Sequence, residues 1–331
     1  DVGDPQLDPL DVHGSILPGG GTGRRGRARG GQGQGTGRPR ARAPATAGGA
    51  PGGRGRGPIR FPPVTGIRRC AAIQLEPKLG DVEANLRRCR ALAQEALAAG
   101  AEVVILPEFF TTGMAYLPEV ADGAVPYDGP ALALLREIAA EGALAGGSFL
   151  ALDDDGEVRN AFVLAGPDGV LGRHDKDLPT MWENACYVGG RDDGVIPLPS
   201  GGAAGVALCW ELMRSQTVRR LRGRVDVVLG GSAWWSVPPW PPRALTRRWE
   251  RANHATATGA PAAFARMLGV PVVHASHCGG LECPMPWAPW VRYRGHYEGP
   301  TTIVAGDGTV LAERPAAAGE GGVVADVAFG A

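Results

Sequence analysis

No run of apolar residues approaches the ~20 that a membrane-spanning helix requires, although 44% of the 331 residues are hydrophobic. A helical anchor is therefore excluded within this sequence, and the apolar material is available for a core. Cysteine is sparse: six residues, at 70, 89, 186, 209, 278 and 283, with no CxxC pair among them and no visible secretory signal. That pattern suits reduced thiols rather than a disulfide framework, so a soluble, cytoplasmic protein is expected. Repeats of solenoid period are also missing.

The net charge of zero conceals an asymmetry. Residues 1–66 contain no Lys, ten Arg and four Asp, a balance of +6, and the remainder carries 24 basic and 30 acidic side chains. The first segment has almost no large apolar residues, too few to offset the entropy of ordering, and is expected to be a disordered Arg/Gly/Pro-rich extension. An RNA-binding role through charge and guanidinium stacking is one reading of it. Twin-arginine export is another, but no apolar stretch follows Arg24 and Arg25. Methionine is absent before Met114, and Gly, Arg, Pro and Ala are what GC-rich codons encode. The expectation is that translation starts near Val64 and that residues 67–331 form one α/β domain. The acidic remainder has no basic footprint for nucleic acid.

From residue 67 onward, short apolar runs alternate with helical stretches. CAAIQL (70–75) reads as a strand, and DVEANLRRCRALAQEALAAG (81–100) as a helix capped by Asp81 and ended by Gly100. EVVILPE (102–108) reads as a buried strand and GPALALLREIAAEGAL (129–144) as a second helix. Residues 148–174 hold three β-runs joined by DDDG and PDG turns, a meander. GGAAGVALC (201–209) and VDVVLGGSAWW (225–235) are strands separated by a short helix at 215–221. Residues 246–269 are helical with an interruption at Pro261. VPVVHASHC, the hairpin TTIVAGDGTVLAE and GVVADV close the chain as strands. Hairpins among βα units imply a mixed sheet.

Three polar residues follow apolar strands or β-runs. Glu108 follows VVILP, Lys176 follows VLGRHD and Cys209 ends GVAL. Loops outside strand ends are where α/β sheets bind ligands, and a rigid strand holds a reactive group there. Cys209 can act as a nucleophile if a cation or helix start favours its thiolate. By itself it reads equally as a small buried hydrophobe. Glu108 can take and return a proton, or it can simply cap or pair. Lys176 can stabilise an oxyanion if buried, or it can be an ordinary surface charge.

Taken together, these segments resemble the nitrilase superfamily, the carbon–nitrogen hydrolases. LPEFFTTG is similar to its glutamate motif, HDKDLPTMWE to its lysine motif and GVALCWE to its cysteine motif. The order and wide spacing agree, and GPTTIVAGDGTVLAE and EGGVVADV resemble the family's closing strands. The resemblance implies a four-layer αββα sandwich of two mixed sheets that pairs into homodimers or larger assemblies. It also implies catalysis by Glu108, Lys176 and Cys209 through a thioester, aided by the Trp210 backbone N–H, with no metal or organic cofactor. The substrate would be a small amide or, alternatively, a nitrile. Glu183, seven residues after Lys176, and Cys-Trp-Glu resemble the nitrile-hydrolysing branch, whereas LPEFFTTG resembles the amide-hydrolysing branch.

Other residues carry less specific signals. Tyr116, Trp182, Trp210, Trp234 and Trp235 are candidates for lining a pocket, or for core and dimer packing. Glu183 orients the lysine or pairs with a surface Arg, and Glu211 is expected to be an ion-pair residue. His274, His277, Cys278 and Cys283 are loosely zinc-like in spacing. On a strand, however, His274 and Cys278 share one face and His277 takes the other, which argues against a metal. Arg292, Arg294 and His296 suit substrate or partner contacts. A binding protein of the same fold and a Cys/His peptidase using one of the histidines remain as competing readings.

Overall fold

A computed structural model describes residues 66–330. The Arg/Gly-rich segment and the expected start near Val64 lie outside the described residues. In chain order, the first half contains β1 (Gly66–Leu75), α1 (Val82–Ala98), β2 (Val103–Ile105), α2 (Pro118–Asp122), β3 (Val125–Pro126), α3 (Pro130–Ala140), β4 (Leu144–Leu152), β5 (Val158–Gly166) and β6 (Gly169–Asp175). The second half contains β7 (Val195–Pro197), β8 (Ala203–Val206), α4 (Ser215–Leu221), β9 (Val227–Ser232), α5 (Arg243–Leu268) and β10 (Val272–His277). It closes with β11 (Gly280–Met285), β12 (Ala288–His296), β13 (Thr301–Val304), β14 (Val310–Arg314) and β15 (Gly321–Phe329). No helix among the described residues is long and apolar enough to cross a membrane.

The fold is α/β with one large mixed sheet in the order β6-β5-β4-β2-β1-β10-β9-β8-β7. β1, β2 and β4 run parallel, as do β8, β9 and β10, while β4–β5–β6 and β7–β8 are antiparallel. β1 meets β10 only through Gln74–Ser276 and Leu75–His277 at its C-terminal end. Along most of its length it pairs with β15 instead, from Gly66–Phe329 to Gln74–Gly321. The sheet therefore divides into two wings joined at one narrow seam.

Alternation along the strands explains how both wings are buried. Ala71, Ile73 and Leu75 face Leu86, Leu92, Leu132 and Leu135 of α1 and α3. The intervening Cys70 and Ala72, with Val103, Ile105, Phe162 and Leu164, meet Val206, Leu229, Val273 and Ile303 of the other wing. Val228 and Val272, facing away from that contact, pack on Val218, Leu221, Phe264 and Ala265 of α4 and α5. Near-continuous apolar runs such as VVIL and DVVLGG are the sequence trace of strands covered on both faces.

Several boundaries differ from the sequence expectation for identifiable reasons. β2 ends at Ile105 rather than at Glu108, because Pro107 has no N–H to add to the ladder. Leu106 N–H still reaches the Gly146 carbonyl at 2.7 Å, so Glu108 is held one turn beyond a paired backbone. The α5 helix runs through Pro261 without a break. Its face Ala257, Ala260, Phe264 and Ala265 is buried, and that packing outweighs one missing hydrogen bond. The short strand β7 and the β11–β12 hairpin were not expected from the sequence. Gly, Pro and charged residues dilute the alternation there.

Candidate active site

The C-terminal ends of β2, β8, β9 and β10 and the end of β6 converge on one place. Glu108 lies beyond β2, Lys176 directly follows β6, Cys209 follows β8, and Ala233 and Trp234 follow β9. The close approach depends on Gly230 and Gly231. A Cβ at Gly230 would lie 2.0 Å from the Ala207 carbonyl oxygen, and one at Gly231 would lie 2.7 Å from the Glu108 nitrogen. The glycine pair lets β9 pass directly beside the two segments that carry Cys209 and Glu108.

Glu108, Lys176 and Cys209 are all buried, and Glu183 is nearly so. Lys176 Nζ donates to Glu108 Oε1 at 2.9 Å and to Glu183 Oε2 at 2.8 Å. Glu108 Oε1 also accepts from Asn160 Nδ2 at 2.9 Å, and its Oε2 accepts from Ala233 N–H at 3.0 Å. Glu183 Oε2 accepts from Thr180 N–H at 2.8 Å and from the Tyr187 hydroxyl. His277 Nε2 donates to the Glu108 carbonyl at 2.6 Å, which pins the backbone behind the carboxylate.

The electrostatics follow from this enclosure. Burial would lower the Lys176 pKa, but Glu108 and Glu183 outweigh it and hold the ammonium well above its ordinary value. Burial raises the Glu108 carboxyl, with Lys176 opposing and Glu183 reinforcing. Burial also pushes the Cys209 thiol well up; Glu108 and Glu183 add to this, and Lys176 and the Trp210 N–H oppose it. The sulfur thus lies within the field of all three charges and remains protonated until a base takes its proton.

Backbone strain accompanies these groups. Among the described residues, three non-glycines have φ in the left-handed region: Phe109 (55°), Met181 (53°) and Cys209 (48°). Each stands in one of the three motif segments, and each costs about 1–3 kcal/mol that the surrounding packing must offset. Strain of this kind aims a side chain out of a strand end. Cys209 opens the tight turn Cys209–Met213 directly after β8.

The thiol reaches the wall of a cavity of about 290 Å³. Glu183, Trp182, Trp210, Trp234 and Trp235 share that lining. Tyr116, expected as a pocket residue, does not. It packs against an apolar cluster that includes Phe109, Met114 and Cys283 and backs the cavity wall.

Residues 69–330 match the sequence profile of the carbon-nitrogen hydrolase family, which is most of the chain. The chain belongs to that family. An aliphatic nitrilase of Sinorhizobium fredii is 31% identical over 165 residues, 43% of this chain and 53% of that protein. An omega-amidase of Yersinia enterocolitica is 34% identical over 119 residues, 35% of this chain and 44% of that protein. The chain thus spans about half the length of the curated relatives it matches. Among solved structures, a carbon-nitrogen hydrolase from Helicobacter pylori superposes with TM-score 0.65 at 16% identity, over 79% of this chain and 89% of that one. XC1258 of Xanthomonas campestris, a CN-hydrolase superfamily protein, gives 0.58 at 22%, over 79% and 90%. These structures share the fold.

In this carbon-nitrogen hydrolase domain, several contacts around the site were not visible in the sequence. Asn160 on β5 steadies Glu108, and a polar residue inside the apolar run NAFVLAG was the one available signal. Tyr187, which binds Glu183, had none. Glu211 is an ion-pair residue: its carboxylate meets His174 Nε2 at 3.1 Å and accepts the Leu208 N–H at 2.9 Å. His174 also bonds Asp192, so β6 and the Cys209 turn are tied together by a buried charged chain. Burial opposes charge on His174, but Glu211 and Asp192 raise its pKa to about 9. Likewise burial opposes charge on Glu211, but His174 and Arg220 lower its pKa to about 2. His274 pairs with Ser232 Oγ at 2.6 Å and His277 with the Glu108 carbonyl. The two histidines therefore serve separate protein partners.

Proposed function

We propose that this protein hydrolyses a carbon–nitrogen bond of a small amide, with Cys209 as nucleophile, Glu108 as proton carrier and Lys176 as the fixed cation. The observation that carries the reading is a buried Lys176 clamped between two carboxylates beside a strained, buried cysteine at the wall of a cavity. A buried ion cluster of this kind is costly to assemble. Perturbed groups gathered at strand ends beside a cavity mark a site of chemistry.

The Cys209 thiol gives its proton to Glu108 as sulfur bonds to the substrate carbonyl carbon. The oxygen of the tetrahedral adduct takes up negative charge beside Lys176 Nζ and the Trp210 N–H. Glu108 returns the proton to nitrogen, the C–N bond breaks, and ammonia or an amine leaves a thioester on Cys209. Water then loses a proton to Glu108 and attacks the thioester carbon, the C–S bond breaks as Glu108 gives that proton to the Cys209 sulfur, and acid and free thiol result. Every proton is carried by a side chain present in the site, so the steps call for no cofactor. Glu183 positions Lys176, and Tyr187 positions Glu183.

A nitrile is the second reading. It is favoured by Cys-Trp-Glu and by the seven-residue offset between Lys176 and Glu183. Addition of Cys209 to a nitrile gives a thioimidate, which water converts through the same thioester to acid and ammonia. Paired amides and nitriles incubated with the full chain, with ammonia and acid measured, test both readings. Amide turnover lost in Cys209→Ala is the expected result. Conversion of nitriles alone would replace the first reading by the second, and turnover surviving Cys209→Ala would end both.

The two wings with helices on their outer faces support a four-layer αββα arrangement for residues 67–331. Family membership supports a homodimer or larger homo-oligomer, and the few cysteines, free among the described residues, support a cytoplasmic location.

A further inference from the structure

Tryptophan is concentrated around Cys209. Six of the eight in the chain, Trp182, Trp210, Trp234, Trp235, Trp240 and Trp287, line the cavity that contains the thiol. Trp210 and Trp234, flanking Cys209 and the end of β9, stack at 5.7 Å with 22° between their planes. Trp182 lies 4.5 Å from Trp235 and 6.2 Å from Trp287, centroid to centroid, forming a second aromatic group.

Several polar side chains of the lining are already engaged, while the Thr180 hydroxyl, uncharged, has no hydrogen-bond partner. Asn253 accepts from Trp234 Nε1 and donates to the Trp235 carbonyl, both at 2.9 Å. Trp235 Nε1 donates to the Met114 carbonyl at 3.1 Å, and the Tyr293 hydroxyl donates to the Ser236 carbonyl at 2.8 Å. Glu183 is the one charged residue of the lining, and its Oε2 holds Lys176, Thr180 and Tyr187. Among the described lining residues there is no Lys, Arg or His. Arg251 and Arg294 belong to an adjoining cavity that shares only Ser236 and Val237 with this one.

We infer that the acyl group taken by this site is a neutral, planar aromatic one, of bicyclic size or a single ring plus its linker. This rests on the hydrolase reading above. Ring faces favour a flat π-system through offset and edge contacts. A carboxylate on the acyl chain would lose its water with no cation to receive it. A quaternary ammonium group could meet ring faces, but the lone lining carboxylate is already committed to Lys176. Size agrees: a dry cavity of about 150 Å³ holds benzene, and about 290 Å³ is available here.

The test separates binding from turnover. Full-length Cys209→Ala is titrated calorimetrically with 2-naphthylacetamide, acetamide, succinamic acid and trimethylglycinamide, and the wild-type chain is assayed for ammonia release from the same four. The naphthyl amide should bind at least about tenfold more tightly than each of the others. Trp182→Ala or Trp235→Ala, checked for folding by circular dichroism, should weaken it about three- to tenfold and weaken acetamide by a smaller factor. Equal or tighter binding of succinamate or trimethylglycinamide, or no binding of the naphthyl amide, would overturn the inference. Tight naphthyl binding without turnover of any member would leave the inference standing and count against the hydrolase reading. Turnover of succinamate in preference to the aromatic amide would do the reverse.

Discussion

Glu108→Gln keeps the shape of the side chain and removes its charge, and the surroundings make this change unusually informative. All three partners of the carboxylate are donors: Lys176 Nζ and Asn160 Nδ2 on Oε1, and Ala233 N–H on Oε2. A glutamine has one acceptor oxygen, so its NH₂ must face a donor in either orientation. The better orientation keeps the oxygen toward Lys176 and Asn160 and strands the Ala233 N–H, at about 1–3 kcal/mol. Lys176 keeps Glu183, so the total should stay near the lower end of the loss for a broken buried pair, about 3 kcal/mol. Proton transfer is lost as well, which should reduce kcat by about 10²–10⁴-fold. The assay is ammonia release under saturating substrate, with urea unfolding of the same preparation to show that the protein remains folded. If Glu108→Gln kept more than about a tenth of the wild-type kcat, Glu108 could not be the proton carrier. If it unfolded at the same urea concentration, the carboxylate would not be the buried ion described above.

Other outcomes follow from the same geometry. Tyr187→Phe removes a donor from Glu183 and should cost about 1–2 kcal/mol in urea unfolding, with a several-fold fall in kcat as Lys176 loosens; an unchanged midpoint would contradict the hydrogen bond. Gly230→Ala places a Cβ 2.0 Å from a backbone oxygen that cannot yield, so it should destabilise by about 3 kcal/mol or prevent folding, read from the soluble yield and urea midpoint. For pH, the folded His174 pKa of about 9 lies above its ordinary 6.5, so its contribution is full below 6.5 and is lost as pH rises through 9. The folded Glu211 pKa of about 2 lies below 4.5, so its contribution is full above 4.5 and is lost as pH falls toward 2. Counted once for the pair, the effect is about 3 kcal/mol. Urea midpoints should therefore be highest between these limits, and His174→Gln should flatten the alkaline limb; an unaltered limb in that variant would refute the assignment.

Much of the scaffold was legible because its signals are local. Asp81 caps α1 through its bond to the Ala84 N–H, and Gly100 follows the helix end. The DDDG and PDG turns place β4, β5 and β6, and apolar runs covered on both faces mark β1, β2, β9 and β10. Elements whose residues face solvent on one side without clean alternation were missed, notably the β11–β12 hairpin with Trp290 and Val291 exposed. Tyr116 was misplaced because nearness to a motif in the chain says nothing about the direction taken after the turn at Gly113.

The chain by itself determined that Glu108 and Cys209 stand just past apolar runs, since burial forces those runs into strands, and that Lys176 follows a β-run set by its turns. Only the tertiary structure decided what surrounds these groups. Asn160, the Ala233 N–H and His277 reach Glu108 from distant segments, and whether Glu183 faces Lys176 and Tyr187 or solvent depends on how the chain turns after Thr180. The physical reason is range: turns, caps and alternation act over a few residues. The charge, hydration and donor set of a buried site depend on segments brought close by packing, here through the glycine pair of β9.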